Sequence, residues 1–363
     1  MSVVKNTEKL LIKISESVRK TLVLYSEIRN IKKKSHLWST VTLTPQQERK
    51  IQLFFKDNYG KKISSKWHRL YQSYTDTFRY NYFPEYIFST ELEPKTNPYR
   101  VAELLGDKNF LSVFFSNISE VSVPQNVFYA VNGTIYNTDR NIITLQEAVK
   151  LLLVSKDCLV IKKTIDTSSG RDVAILNGNY SYEEAESLIK RFGKDFVVQD
   201  FIRQSQELLA LNSSSVNTFR VITYICDDDI FTCPVALRMG RANADKDNIH
   251  NGGISVGVQE DGYLKKYAFS EYGEVFTEHP DSKVQFSGYY IPEAGTKLRS
   301  VAKKLHSYVP WLGIISWDLT INEQGDITLV EMNTTGQSAW FCQMVNGEPL
   351  FGNNTSKMLE MIK

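Results

Sequence analysis

The sequence comprises 363 residues, 42% hydrophobic and 23% charged, which is typical of soluble globular proteins and leaves room for two or three domains. A formal net charge of +2 argues against nucleic-acid binding, and no apolar run reaches the roughly 20 residues of a membrane-spanning helix. The N-terminus lacks a signal-peptide cleavage pattern and the four cysteines lack CxxC spacing, so we expect a protein of the reducing cytoplasm.

Residues 1–78 are predicted to form a helical N-terminal region. Its first helix, over residues 4–30, places basic residues on one side and apolar residues on the other, at Leu10, Leu11, Ile14, Val18, Leu22 and Tyr25. We expect this helix to pack on its own domain with a solvated basic face. Weak docking to a membrane surface or to a glycosyltransferase is the alternative.

Residues 79–202 mix short helices, strands and polar loops, and we divide them into a segment over 79–125 and a lobe over 126–202. A strand over residues 158–162 ends at Lys162 and Lys163, before a polar loop with small residues. A lysine in this position can place its ammonium group against phosphates, and the loop can add backbone N–H groups. A solvated strand end is the alternative.

The last lobe, residues 203–363, is dominated by strand patterns, and two of these strands contain an arginine. A buried arginine must be paired, and phosphate and carboxylate are its geometric matches, so Arg220 and Arg238 are candidates for holding a phosphate. Pairing with structural carboxylates is the alternative. A helix over residues 296–309 follows, in which His306 is expected to be solvated.

A hairpin with one polar face follows this helix. With a four-residue loop at 322–325, Asp318 would lie opposite Leu329 and diagonal to Glu331, at a Cβ separation of roughly 7–8 Å. Two carboxylates and the amide oxygen of Asn333 suit a hard cation such as Mg²⁺. A hairpin with solvated acids is the alternative.

The sequence contains no P-loop, GxSxG or GxGxxG motif, which argues against Walker NTPases, serine hydrolases and Rossmann dehydrogenases. The ordered segments instead resemble the ATP-grasp superfamily, and most closely its sugar-transfer-associated branch found with polysaccharide-synthesis proteins. The matching segments are RYNYFP at 79–84, DK at 107–108, LVIKK at 159–163, VVQDFI at 197–202, SVNTFRVIT at 215–223, ALRMGRANADKDNIHNGG at 236–253, WDLTI at 317–321 and VEMN at 330–333. The resemblance implies an α+β fold in which two lobes clasp ATP.

The resemblance also implies roles for individual residues. The implied nucleotide-binding positions are Lys108, Lys162, Ser169, Gly170, Gln199, Asp200, Ile202, Gln206, Glu207 and Asn248. The implied ligands of Mg²⁺, or of Mn²⁺ as a substitute, are Asp318, Glu331 and Asn333. The implied catalytic groups are Arg220 and Arg238.

Two positions depart from the family pattern. The Lys-Pro pair that is usual in the family is replaced here by Lys162-Lys163, which leaves the choice of phosphate-binding lysine open. Ser316 stands where D-alanine–D-alanine ligases carry an arginine two residues before the metal aspartate, so a transition-state arginine would have to be Arg220 or Arg238.

The resemblance implies an ADP-forming carboxylate–amine ligase that works through an acyl phosphate. Its small-molecule carboxylate and amine would be sugar-linked, such as a uronic acid and an amino acid joined during capsule or surface-polysaccharide assembly. A kinase on the same fold and a nucleotide-binding scaffold for glycosyltransferases are the alternatives.

Overall fold

The structure is a computed structural model in which the chain forms two antiparallel sheets with helices packed on their faces. It describes residues 2–155, 158–165, 173–178, 180–242, 249 and 252–363, and the side chains from residue 11 onward. Of the predicted nucleotide-binding positions, Ser169, Gly170 and Asn248 lie outside the described residues.

The N-terminal region is helical, as predicted. Its helices are α1 (Ser2–Lys33), α2 (Ser35–Trp38), α3 (Pro45–Tyr59) and α4 (Lys66–Thr75). Helix α3 begins with a capping box, in which the Thr44 hydroxyl accepts from the Gln47 N–H and the Gln47 side chain accepts from the Thr44 N–H. Gly60 ends this helix in the left-handed conformation, with φ of 81°.

Short helices lead from this region into the first sheet. They are α5 (Glu85–Ile87), a π-helical stretch (Phe88–Leu92), α6 (Glu93–Thr96), α7 (Tyr99–Leu105) and α8 (Phe110–Phe115). The six strands of the first sheet are β1 (Asn126–Val131), β2 (Thr134–Asn137), β3 (Ile142–Ile143), β4 (Leu159–Lys163), β5 (Val173–Leu176) and β6 (Phe196–Asp200), in the order β3-β2-β1-β6-β4-β5. Helices α9 (Leu145–Val154) and α10 (Tyr182–Phe192) share a core with this sheet and complete the first lobe.

The second lobe is built on an eight-stranded sheet. In chain order its elements are α11 (Gln206–Leu211), β7 (Thr218–Cys226), β8 (Asp229–Thr232), β9 (Val235–Met239), β10 (Ile254–Val258), β11 (Leu264–Ser270), β12 (Val275–Phe276), α12 (Thr296–Ser307), β13 (Ile314–Ile321), β14 (Ile327–Asn333), α13 (Trp340–Asn346), a 3₁₀ turn (Gly352–Asn354) and α14 (Thr355–Glu360). The main strand order is β12-β11-β10-β9-β7-β13-β14, with β8 paired to β7.

The two faces of this sheet bury different parts of the chain. Helices α7, α8, α11 and α12 cover one face, where they pack against the apolar side chains of β13 and β14. The N-terminal helices, α13 and α14 share a second core on the other face. Because side chains alternate along a strand, the polar positions of β13 fall on the face that carries α13.

One sequence prediction about the core is wrong. His306 was expected to be solvated, but it is fully buried, with Nδ1 at 2.7 Å from the Thr223 hydroxyl and Nε2 at 2.8 Å from the Leu312 carbonyl oxygen. Burial lowers the pKa of His306, although the Leu312 carbonyl opposes the shift. A neutral imidazole therefore joins α12 to the sheet.

A second prediction fails at α1, whose apolar positions do not pack on the domain. The side chains that the sequence assigned to a packed face are exposed at Leu11, Ile14, Val18, Leu22 and Tyr25. The opposite side of the helix makes the contact instead, through Ile31 near its C-terminal end. No helix in the described part of the chain combines the length and apolar character needed to cross a membrane.

Candidate nucleotide and metal site

The hairpin β13–β14 brings its two carboxylates closer than the sequence predicted. Five residues, 322–326, connect the strands, and Val330 is an extra unpaired residue on β14. Asp318 therefore lies directly opposite Glu331, and the predicted pairing with Leu329 is wrong. Directly opposed residues share a face of the sheet, so the two side chains can reach one ligand.

Two arginines hold Asp318, as a buried carboxylate requires. Arg220, from the adjacent strand β7, places Nε at 2.7 Å from Oδ1, and Arg238 of β9 places Nη2 at 3.0 Å from Oδ2. The Asn333 amide donates to Oδ2 at 3.2 Å. Burial alone raises the pKa of Asp318, but the two arginines and Asn333 outweigh it, so the pKa is lowered and the carboxylate stays ionised.

Two lysines reach the same hairpin from outside the second lobe. Lys108 places Nζ at 2.9 Å from the Glu331 carboxylate, and Lys162 of β4 places Nζ at 3.5 Å from the Val330 carbonyl oxygen. Burial lowers the pKa of Lys162 to about 8, with a contribution from the neighbouring Lys108 that Glu331 opposes. Both predicted lysines thus lie at the boundary between the lobes.

The structure distinguishes Lys162 from Lys163 by the face of the sheet that each occupies. Lys163 lies on the side of β4 that carries Ile161 and pairs with Phe196, two members of the apolar core under α9 and α10. Lys162 lies on the opposite side, towards β14.

The donor set of the hairpin fits a hard cation. Asp318, Glu331 and Asn333 offer carboxylate and amide oxygens on one face, which is the chemistry that Mg²⁺ takes in nucleotide sites. Across the described residues no group of three His, Cys, Asp or Glu side chains could hold a metal ion, so any cation here would draw on the amide and on phosphate oxygens.

The polar face of the hairpin also contains hydroxyl groups without hydrogen-bond partners among the described residues. The buried hydroxyls of Thr320 and Thr328 lack a hydrogen-bond partner within the described residues, and the two threonines face each other across β13 and β14. They share the face of Asp318, two residues along the strand. A polar ligand on this face would satisfy groups that are costly to leave buried and unpaired.

Residues 199–202, which the resemblance implies contact the nucleotide, lead from β6 of the first sheet towards the second lobe, next to the hairpin turn. Gln199 is buried and its Nε2 donates to Asn126 Oδ1 at 2.7 Å, so its side chain is held within the first lobe. Asp200 is exposed at the end of β6, and Ile202 is half-buried in the connection that follows. The Ser205 N–H then donates to the Ile321 carbonyl at 2.9 Å.

Two further predicted positions begin helix α11, directly after this connection. Gln206 is exposed and Glu207 is half-buried, in the first turn after the N-cap Ser205. The resemblance implies that one of these two side chains lies near the ribose of the nucleotide, and their position next to this connection leaves both available.

Two buried side chains that the sequence did not single out hold the chain after β14. The Glu93 carboxylate accepts from the N–H groups of Gly336 and Gln337, at 3.1 and 2.9 Å. Asn97 accepts from the Ile314 N–H at 3.0 Å and donates to the Thr334 carbonyl at 2.8 Å. Neither residue belongs to a recognisable motif, since each acts on backbone more than 200 residues away.

Burial raises the pKa of Glu93 to about 7, against the opposing effects of the Gln337 and Gly336 N–H groups and of Arg19. The segment before β1 therefore fixes the loop beside the hairpin with a carboxyl group that titrates near neutral pH.

Ser316 occupies the position at which the sequence comparison expected an arginine. Its hydroxyl donates to Gln337 Oε1 at 2.6 Å, which ties it to the loop that Glu93 holds. Arg220 lies nearby on β7, with its guanidinium carbon 5.4 Å from the Phe341 ring centroid and Nη1 at 3.5 Å from the Ser338 carbonyl. A guanidinium is thus present at the hairpin, on a different strand.

Two α+β lobes that meet over a hairpin with two acids and an amide, reached by two lysines from outside the second lobe, are the features of an ATP-grasp protein. This agrees with the family comparison: a model of the sugar-transfer associated ATP-grasp proteins matches residues 87–358. The chain belongs to the sugar-transfer associated ATP-grasp family, and the predicted resemblance and α+β fold class are confirmed.

Solved structures of similar topology are distant in sequence. They include the VanG D-Ala:D-Ser ligase from Enterococcus faecalis, at 15% identity and a TM-score of 0.41 over 71% of this chain and 61% of that one. Biotin carboxylase from Campylobacter jejuni matches at 14% identity and 0.42 over 72% and 47%. N5-carboxyaminoimidazole synthetase from Staphylococcus aureus, complexed with ADP, matches at 12% identity and 0.39 over 67% and 48%.

The chain spans about half the length of the first structures it matches. A comparison with curated proteins gave no match.

Proposed function

We propose that the protein is an ADP-forming ligase that joins a small-molecule carboxylate to an amine. The observation that carries the proposal is the charge arrangement at the lobe boundary. Four basic groups, Lys108, Lys162, Arg220 and Arg238, converge on the polar face of the hairpin beside Asp318 and Glu331. This cluster of positive charge matches a polyphosphate, and the family membership supports ATP as that polyphosphate.

The contacts in the structure also suggest how the site accepts its nucleotide. In the structure, Lys108 is paired with Glu331, and Arg220 with Asp318. Phosphate oxygens are equally good partners for lysine and arginine, so bound ATP can take over the basic groups and release both carboxylates. Asp318, Glu331 and Asn333 would then hold Mg²⁺, which supplies neutralisation of phosphate charge when bound.

The remaining side chains provide positioning and electrostatic stabilisation. Lys108 and Lys162 hold the phosphates, and the guanidinium of Arg220 or Arg238 faces the charge on the γ-phosphoryl group as it transfers. A substrate carboxylate oxygen forms the new bond to the γ-phosphorus as the bond to the β-phosphate oxygen breaks, releasing ADP. The amine then forms the C–N bond, loses a proton and displaces phosphate from the acyl phosphate.

The substrate side of the proposal rests on the family alone. The family's association with sugar transfer supports a sugar-linked carboxylate or amine, such as a uronic acid and an amino acid, in surface-polysaccharide or capsule synthesis in the cytoplasm. No polar contact among the described residues distinguishes one acceptor from another.

The decisive test is product analysis. The protein, Mg²⁺ and ATP are incubated with panels of uronic acids, amino sugars and amino acids, and ADP and phosphate release is measured alongside mass spectrometry. The expected result is ADP plus phosphate and an amide, only when carboxylate and amine are both present. A stable phosphorylated product formed without the amine would instead identify a kinase, and nucleotide binding without turnover across the panels would favour a scaffold.

The two adjacent lysines provide a sharp test of the nucleotide site. Lys162→Met should weaken Mg²⁺·ATP binding by about 10- to 150-fold, the loss of one charge-assisted contact. Lys163→Met, the matched control on the opposite face of β4, should change affinity by less than about twofold, because it faces the core of the first lobe. Isothermal titration calorimetry measures both, and a larger effect at Lys163 would contradict the assignment.

The pKa of Lys162, about 8, adds a pH dependence with a definite sign. Phosphates favour the charged ammonium, so the pKa of Lys162 must rise when ATP binds. Above pH 8 the free protein has lost this proton and must take it up on binding, so affinity should fall as the pH rises. Calorimetry in buffers of different ionisation enthalpy should show proton uptake at pH 8.5 that Lys162→Met abolishes.

A further inference from the structure

Helix α1 extends beyond the body of the protein. It contains 32 residues, which corresponds to a length of about 48 Å. Every residue from 11 to 22 is exposed. Side-chain contacts attach this part to the segment over residues 79–125. The Arg19 guanidinium lies 3.6 Å from the Tyr99 ring centroid, and Lys20 pairs with Glu91 at 3.2 Å.

The outer side of α1 carries a continuous apolar stripe. Its side chains recur every three or four residues and therefore lie along one side of the helix. Each is at least half exposed: Leu11 61%, Ile14 51%, Val18 54%, Leu22 65%, Tyr25 68% and Ile28 55%. The opposite side packs on the protein through Ile31, so the stripe is an additional face and not a part of the core.

The same helix is strongly net positive, whereas the rest of the chain is net negative. The sequence of α1 contains eight Lys or Arg residues and three Glu, a formal charge of +5, while the whole chain has +2. The remaining residues are therefore net negative, at −3. Lys13, Arg29, Lys32 and Lys33 are exposed within or beyond the striped part of the helix.

We propose that α1 binds to the surface of an anionic lipid membrane, with its axis in the interfacial plane. The apolar stripe would enter the boundary between headgroups and acyl chains, and the basic side chains would contact lipid phosphates and carboxylates. Juxtaposed basic residues and an apolar face are the two features that such binding requires. The proposal does not depend on the ligase reaction.

The charge distribution favours this partner over a second copy of the chain. Two α1 helices paired through their stripes would bring together two segments of +5 net charge, in which eight basic residues outnumber the three Glu that could flank a helical pair with opposite charge. An anionic lipid surface reverses the sign of this interaction. The net negative remainder of the protein would be repelled by the same surface, so α1 would determine which side of the molecule faces it.

The test is flotation of the full-length protein with vesicles of phosphatidylcholine, with and without about one-third phosphatidylglycerol. We expect at least about tenfold stronger partitioning to the anionic vesicles, and a loss of this preference as salt is raised. Leu11→Ser combined with Leu22→Ser should reduce partitioning about tenfold or more, because both side chains belong to the stripe.

The matched control replaces two exposed apolar residues outside α1, Leu53→Ser and Val154→Ser, and should bind vesicles like the parent. Unfolding midpoints of both variants should equal that of the parent, since all four side chains are exposed. Equal partitioning to neutral and anionic vesicles would overturn the proposal, as would undiminished binding by the stripe variant. Sedimentation velocity provides the remaining outcome: a parent dimer that the stripe variant converts to monomer would identify α1 as a self-association surface.

Discussion

Asp318→Asn is expected to reduce ATP-dependent turnover by about 10²- to 10³-fold and to lower the free energy of unfolding by about 3–5 kcal/mol. The stability loss arises because Arg220 and Arg238 would remain buried without their shared carboxylate. Since phosphates can replace that carboxylate, Mg²⁺·ATP should raise the unfolding midpoint of the variant more than that of the parent. ADP release and denaturant unfolding, with and without nucleotide, measure these effects.

Glu331→Gln is the matched control for this experiment. Its carboxylate lies directly opposite Asp318 and is proposed to share the same cation, so turnover should fall by a similar factor. The Glu331 side chain is 32% exposed and pairs with one lysine, so its loss should cost less than about 1 kcal/mol of stability. Turnover by Asp318→Asn at the parental rate would show that the hairpin is not the metal site.

Arg220→Met is expected to have the second large effect, a loss of turnover of about 10³-fold or more. Arg220 lies on the strand adjacent to Asp318, the proposed metal ligand, and Ser316 leaves the hairpin without an arginine of its own. Because the group is proposed to act on transferring charge, kcat should fall much more than the affinity for Mg²⁺·ATP. Arg220→Lys should recover little, since lysine lacks the paired donors of the guanidinium.

Arg299→Met separates this catalytic effect from the general cost of removing a buried arginine. The guanidinium of Arg299 bonds the backbone carbonyls of Val258 and Gly295, at 2.8 and 3.1 Å, away from the hairpin. The variant should be destabilised but should turn over normally below its unfolding temperature. A parental kcat for Arg220→Met in the same steady-state assay would assign that arginine a structural role.

The sequence could predict the parts of the site that depend on residue type. Arginine within an apolar strand requires an anionic partner, and both Arg220 and Arg238 were accordingly found beside Asp318. The alternation of side chains along β13 and β14 also predicted that Asp318, Glu331 and Asn333 share one face of the sheet. Their roles towards ATP and metal remain predictions.

The sequence could not predict features that depend on long-range geometry. Val330 has no property that marks it as a bulge, so the offset between Asp318 and Glu331 was missed. Glu93 resembles any glutamate near a helix start, and only the fold reveals that its partners are 243 and 244 residues away. The apolar periodicity of α1 predicted a helix with an apolar side, but that side is exposed, because a helical pattern does not specify what covers it.

The second core has a consequence for biosynthesis. It joins aromatic side chains near the start of the chain to residues near its end; the Phe83 and Phe351 rings, for example, lie 5.0 Å apart. At translation rates of about 5–20 residues per second, residue 83 waits roughly 15–50 s for that partner. During this interval the aromatic faces of α3 and α4 are uncovered, which makes the nascent chain the form most exposed to aggregation and to chaperone binding.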